Sequence, residues 1–123
     1  MPRTFPQLPA PFGANSERRG EEYWITPCGE LDLATAQTLE HDLLAIEQTD
    51  AQGIVLNLSS LVFMDCAGVH LLLRADDRSR TNGKRLGLIA GSRAVQAPLR
   101  VNGVEDRLPF ITPEPVARAA TTG

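Results

Sequence analysis

Gly53-Ile54-Val55-Leu56-Asn57-Leu58, followed after a short spacer by Phe63-Met64-Asp65-Cys66-Ala67-Gly68, is the stretch that decides the fold. The run from Ile54 to Leu58 has strand length and lacks strict apolar–polar alternation, the pattern of a strand buried on both faces. It is read as the central strand of a sheet. Asp65 is a strong N-cap residue, because its carboxylate can accept from the unpaired N–H groups of a helix's first turn. Behind it Gly68, Leu71, Leu72, Ala75 and Ser79 put small or apolar groups on one stripe, and Asp76, Asp77, Arg78 and Arg80 finish the helix. Cys66 is then the first helical residue.

Working outward, Tyr23-Trp24-Ile25-Thr26 has the residues of a strand, and Pro27, which cannot donate to a ladder, predicts an edge, a bulge or a strand end. Cys28 to Asp32 reads as a short second element ending in a loop at Asp32-Leu33-Ala34. Thr35 can cap the helix that follows, in which Ala36, Leu39, Leu43 and Ile46 recur at helical spacing and Glu40, Asp42 and Glu47 face water. On the other side, Asn82-Gly83 is a turn and Arg85 to Ala90 a further buried strand. Ser92 caps a third helix carrying Ala94, Val95 and Leu99 and ending at Asn102-Gly103, with Pro98 predicting a kink or an early end. Leu108 to Ile111 reads as an edge strand, and Thr112-Pro113-Glu114 as the start of a fourth helix running weakly to Ala120. Residues 1–20, with Pro2, Pro6, Pro9 and Pro11 and little to bury, read as a mobile tail, leaving residues 21–123 as one domain with a frayed end.

Strands alternating with helices give an α/β sheet with parallel neighbours joined by right-handed crossovers. Loops leaving the carboxyl ends of such strands form the usual functional rim. Asp32 and Asp65 both fall on loops of that kind.

The 123 residues, 42% hydrophobic and 22% charged, are ordinary for one domain. A net charge of −3, with the arginines spread along the chain around the lone Lys84, offers no basic field for nucleic acid. The apolar runs are too short to span a membrane and the first twenty residues lack a signal region, so a cytoplasmic location is expected. Two cysteines make neither a disulfide framework nor a four-ligand zinc site, and no cofactor or metal is expected.

The inventory for catalysis is thin, without HExxH, CxxC, GxSxG or a phosphate-cradling GxxxxGK[ST]. His41 and His70 read as surface helical histidines rather than bases. Asp32 and Asp65 suit loop hydrogen bonding and helix capping better than acid–base work. Cys66 stands where a helix N-terminus favours a thiolate, although the Asp65 carboxylate opposes a second negative charge and cysteine is also a common small core residue. Cys28, beside Pro27 and Gly29, reads as packing.

Gly29-Glu30-Leu31-Asp32-Leu33-Ala34-Thr35-Ala36 and Phe63-Met64-Asp65-Cys66-Ala67-Gly68 together resemble the anti-sigma factor antagonists of the STAS domain family. The resemblance continues through Gly83-Lys84-Arg85-Leu86, Ser92-Arg93-Ala94-Val95 and Asn102-Gly103-Val104-Glu105, covering roughly residues 21–111. It implies a small mixed β-sheet of four to five strands flanked by about four helices, and action by binding rather than turnover. Antagonists of this kind bind an anti-sigma factor that is also a serine kinase of the GHKL ATPase type, and phosphorylation of an Asp-Ser-Ser/Thr-Gly motif breaks the complex. Asp65 and Gly68 match that motif, whereas Cys66 holds the phosphoacceptor position and Ala67 the next, so neither carries a hydroxyl. Asp32 matches an acid of the partner site. The resemblance thus implies a partner surface of Asp32, Asp65, Cys66, Ala67 and Gly68 in a non-enzymatic regulator. A redox-responsive module sensing through Cys66 and a self-associating scaffold are the alternatives.

Overall fold

β-Branched and aromatic residues form the middle of the sheet in the computed structural model, which describes residues 12–112. The elements run β1 (Gly13–Arg19), β2 (Glu22–Leu31), α1 (Leu33–Glu47), β3 (Gly53–Asn57), β4 (Leu61–Met64), α2 (Cys66–Asn82), β5 (Arg85–Ile89) and α3 (Arg93–Val101), followed by a 3-10 turn at Glu105–Arg107. The sheet has five strands in the order β1-β2-β3-β5, with β4 also paired to β2. β1 is antiparallel to β2, and the other pairs are parallel. The parallel pairs follow from the helical crossovers expected above.

β3 is internal, as its unbroken apolar run predicts, and Leu56 is wholly buried between Ile25 and Leu88 in register. α1 and α2 pack on each other and on the sheet, burying Ala36, Leu39 and Leu43 from one and Val69, Leu71, Leu72 and Ala75 from the other. α3 adds Val95 and Leu99 to the same core. Asp76, read as part of a polar helix end, is buried and held by Arg80 at 2.9 Å. Asn102 and Gly103 end α3 as expected, with Gly103 at φ 71°, and the helix continues past Pro98 to Val101.

Several boundaries differ from the sequence reading. Residues 13–19, placed there in a mobile tail, form β1 instead. Their polar side chains give no alternating signal, and the strand is fixed by pairing: Gly20 at φ 62° reverses the chain, and the guanidinium groups of Arg18 and Arg19 lie over the rings of Tyr23 and Trp24. Residues 1–11 of that tail lie outside the described residues. The two elements expected around Pro27 are one strand, because Pro27 falls between the last rung to β3 (Ile25↔Leu56) and the first to β4 (Gly29↔Leu61), where no donor is needed. The segment before Asp65 is itself a strand, β4. Residues 108–111 make a single parallel rung, Leu88↔Phe110, rather than an edge strand. The fourth helix, beyond Thr112, lies outside the described residues. No helix among the described residues is long and apolar enough to cross a membrane.

Candidate functional site

β2 and β4 run parallel and end at the same level, Leu31 opposite Met64, so the residue after each strand arrives at one rim. Those residues are Asp32 and Asp65. The Asp65 N–H donates to the Leu31 carbonyl at 3.1 Å, which locks the two turns side by side. Each acid then caps a helix. Asp65 Oδ1 accepts from the Ala67 N–H at 2.9 Å, and α2 begins at Cys66 as the sequence predicts.

At α1 the sequence reading is corrected by three residues. Asp32, not Thr35, is the N-cap, and Thr35 is the third helical residue of a capping box. Asp32 Oδ1 accepts from the Thr35 N–H at 3.0 Å, while the Thr35 hydroxyl accepts from the Asp32 N–H at 2.8 Å and donates to the Glu30 carbonyl at 2.7 Å. The bond from the Thr35 N–H foremost, and after it the approach of the Thr35 hydroxyl to Asp32 Oδ1 at 2.9 Å, hold the Asp32 carboxyl below its ordinary range. Asp32 is therefore a fixed negative charge at neutral pH.

Together the two caps border an open depression of about 470 Å³ lined also by Leu33, Ala34 and Gln37. Cys66 is exposed at this rim and Ala67 is half-buried. Gly68, grouped with them as a contact residue, is buried and faces the core. Cys28, read as packing, is exposed as well, opposite Gly13 of the edge strand β1. His41 and His70 are both exposed. Among the described residues no three His, Cys, Asp or Glu side chains are grouped to hold a metal ion.

The sequence reading missed the apolar part of the rim. Leu33 is 67% exposed directly after its cap, and Val62 and Phe63 are 61% and 44% exposed on β4. Consecutive strand residues point to opposite faces, so two exposed apolar neighbours signal a strand with neither of those faces fully covered.

Comparison with known proteins gives the arrangement its lineage. A family model described as the STAS domain matches residues 14–116. The chain belongs to the STAS domain family. Among curated relatives, the anti-sigma-B factor antagonist of Staphylococcus aureus is 27% identical over 84 residues, which is 68% of this chain and 78% of that protein. The counterpart from Staphylococcus epidermidis is 26% identical over the same span. An anti-sigma factor antagonist from Mycobacterium paratuberculosis superposes with a TM-score of 0.75 at 23% identity, covering 94% of this chain and 97% of that one. The unphosphorylated anti-sigma factor antagonist SpoIIAA gives 0.69 at 24% identity, over 90% and 98% of the two chains. The fold is thus that of these antagonists, and the family's relatives are regulators.

Within this STAS domain Gly68 has a steric duty. A Cβ there would stand 2.3 Å from Met64 Cγ and 2.7 Å from Met64 Sδ, with Leu31 Cδ2 at 3.0 Å. The glycine lets α2 sit close on the ends of β2 and β4, which sets the height of Cys66 on the rim. Gly68→Ala is expected to cost about 1 to 3 kcal/mol by overpacking, read from a urea unfolding midpoint. An unchanged midpoint would show that Met64 moves aside freely and that the close approach is dispensable.

Proposed function

We propose that this STAS domain is an anti-sigma factor antagonist that binds an anti-sigma factor, of the GHKL-type serine kinase class, through the rim formed by Asp32, Asp65, Cys66 and Ala67. The curated relatives named for antagonism of an anti-sigma-B factor support the partner class. The observation that carries the site is the exposed N-terminus of α2, capped by Asp65 and bonded through it to the end of β2 beside Asp32. The protein acts by binding, in the cytoplasm, without turnover.

In this reading Cys66 occupies the place of a phosphoacceptor serine and makes the antagonist insensitive to its kinase. Neither Cys66 nor Ala67 has a hydroxyl to accept a phosphoryl group. A helix N-terminus can hold phosphate well, but a dianion next to Asp65 in a fitted interface brings repulsion and desolvation, so the substitution keeps the surface permanently fit for binding.

The binding itself is tested by calorimetric titration of the purified chain against the GHKL-type anti-sigma factors of its own cell. Saturable binding to one of them is expected, and absence of binding to all of them would sink the assignment. Incubation with ATP and the bound kinase is expected to leave residues 66 and 67 unmodified by mass spectrometry, while Cys66→Ser gains one phosphate. Stoichiometric phosphate on the parent Cys66 would remove the basis for insensitivity. Exposure of Cys66 also suits a redox sensor, but Cys28 is exposed too and exposure gives Cys66 no distinction.

A further inference from the structure

α1 and α2 both start at the rim and run side by side away from it, and three depressions lie along their seam. The first is the one at the caps. The second, of about 310 Å³, shares Leu33 and Gln37 with the first and is walled by His70 and Arg74. A third, of about 360 Å³, lies at the far end between Leu44, Glu47 and Arg78. Leu33, Gln37, Glu40 and Leu44 are spaced by four, three and four residues, which puts them on one stripe of α1 along this seam.

The stripe has apolar ends and a charged middle. Leu33 at 67% and Leu44 at 41% are its exposed large hydrophobics. Eleven residues of helix separate them, about 16 Å at 1.5 Å per residue. Between them Glu40 takes Arg74 at 2.6 Å and Arg78 at 2.8 Å, and just past Leu44 Glu47 takes Arg78 at 2.9 Å. Hydrogen bonding to Arg74 and Arg78 keeps the Glu40 carboxyl below its ordinary range, so the ladder stays charged but internally paired. Its two carboxylates and two guanidinium groups balance in charge, although the buried Arg78 Nη2 has no hydrogen-bond partner among the described residues. At the rim end, by contrast, Asp32 and Asp65 have no cation within ion-pair distance among the described residues.

Such a seam suits one kind of occupant. Beyond the first turn of each helix its walls are side chains of helices whose backbone groups are paired internally, so along that length an extended peptide could not pair its own N–H and C=O groups, whereas a helix satisfies them itself. We propose that the seam receives one amphipathic helix of the partner anti-sigma factor, with apolar side chains eleven residues apart on Leu33 and Leu44 and a basic side chain over Asp32 and Asp65. This rests on the antagonist function proposed above and extends its surface from the rim along the full length of α1.

The test is calorimetric titration of the anti-sigma factor that binds the parent chain. Leu44→Lys places a charge at the end of the seam remote from Cys66 and is expected to weaken binding by about tenfold or more. Val101→Lys, on α3 at a side chain 84% exposed, serves as control and should bind within about twofold of the parent. Parent-like affinity of Leu44→Lys, with Cys66→Asp still damaging, would overturn the seam and leave the rim standing. The converse pattern would uphold the apolar contact along α1 and overturn the rim, and with it the basic side chain placed over Asp32 and Asp65. Sedimentation of the chain alone closes the remaining route: a parent dimer abolished by Leu44→Lys would make the seam a self-contact and refute the partner helix.

Discussion

Cys66→Asp is expected to leave the fold intact and to weaken binding of the anti-sigma factor by about 30- to 5000-fold, the equivalent of about 2 to 5 kcal/mol. The fold should survive because the side chain at residue 66 is exposed and the cap is made by its neighbour, Asp65 Oδ1 accepting from the Ala67 N–H. A carboxylate in the first turn of a helix is moreover favoured by the dipole. Binding should suffer for the opposite reason. The new charge stands beside Asp65, on the same rim as Asp32, and a basic side chain already shared by those two acids leaves the third to be desolvated without a partner. Calorimetric titration with a thermal melt of each protein separates the two effects. A well-folded variant that binds as tightly as the parent would place the partner elsewhere and remove the main support for the rim.

Much of this architecture is legible in the amino-acid sequence because burial writes itself as periodicity. The run at 54–58 and the stripe Leu71, Leu72, Ala75 are dictated by the core, and both lie where their patterns place them. Asp65 is legible for a chemical reason, since few residues can satisfy a helix's first N–H groups from outside. The differences have physical causes too. β1 earns its place through backbone pairing and two arginines laid on aromatic rings, neither of which leaves an apolar rhythm. At α1 the sequence offers two capping residues, Asp32 and Thr35, and which of them opens the helix is not legible because both belong to one capping box. Gly68 was legible as part of a motif but not as a spacer, because its close approach to Met64 appears only when β4 and α2 are folded on each other. The seam between α1 and α2 was invisible for the same reason: Leu44 looks like one more apolar residue until the face it occupies is known.

Leu88→Ala should fail in a way that Cys66→Asp does not. Leu88 is wholly buried in β5, faces Leu56 in register, and its backbone holds the chain's return through bonds from its N–H to the Pro109 carbonyl and from the Ile111 N–H to its own carbonyl. The backbone bonds survive the substitution, so the loss is that of side-chain packing alone. Removing the isobutyl group from a rigid sheet leaves a cavity the neighbours fill only in part, and the expected cost is about 2 to 5 kcal/mol. For a chain of this size each kcal/mol lowers the melting temperature by roughly 3 to 5 °C, so a fall of roughly 6 to 25 °C should be read by calorimetry. Leu88 lies on the opposite side of β3 from the β2–β4 pair that carries the rim, and the folded fraction should bind the anti-sigma factor with parent-like affinity. A Leu88→Ala protein as stable as the parent would mean that the sheet repacks freely around β5. Parent-like stability with weakened binding would instead couple β5 to the rim, and the separation of core from interface assumed for Cys66→Asp would no longer hold.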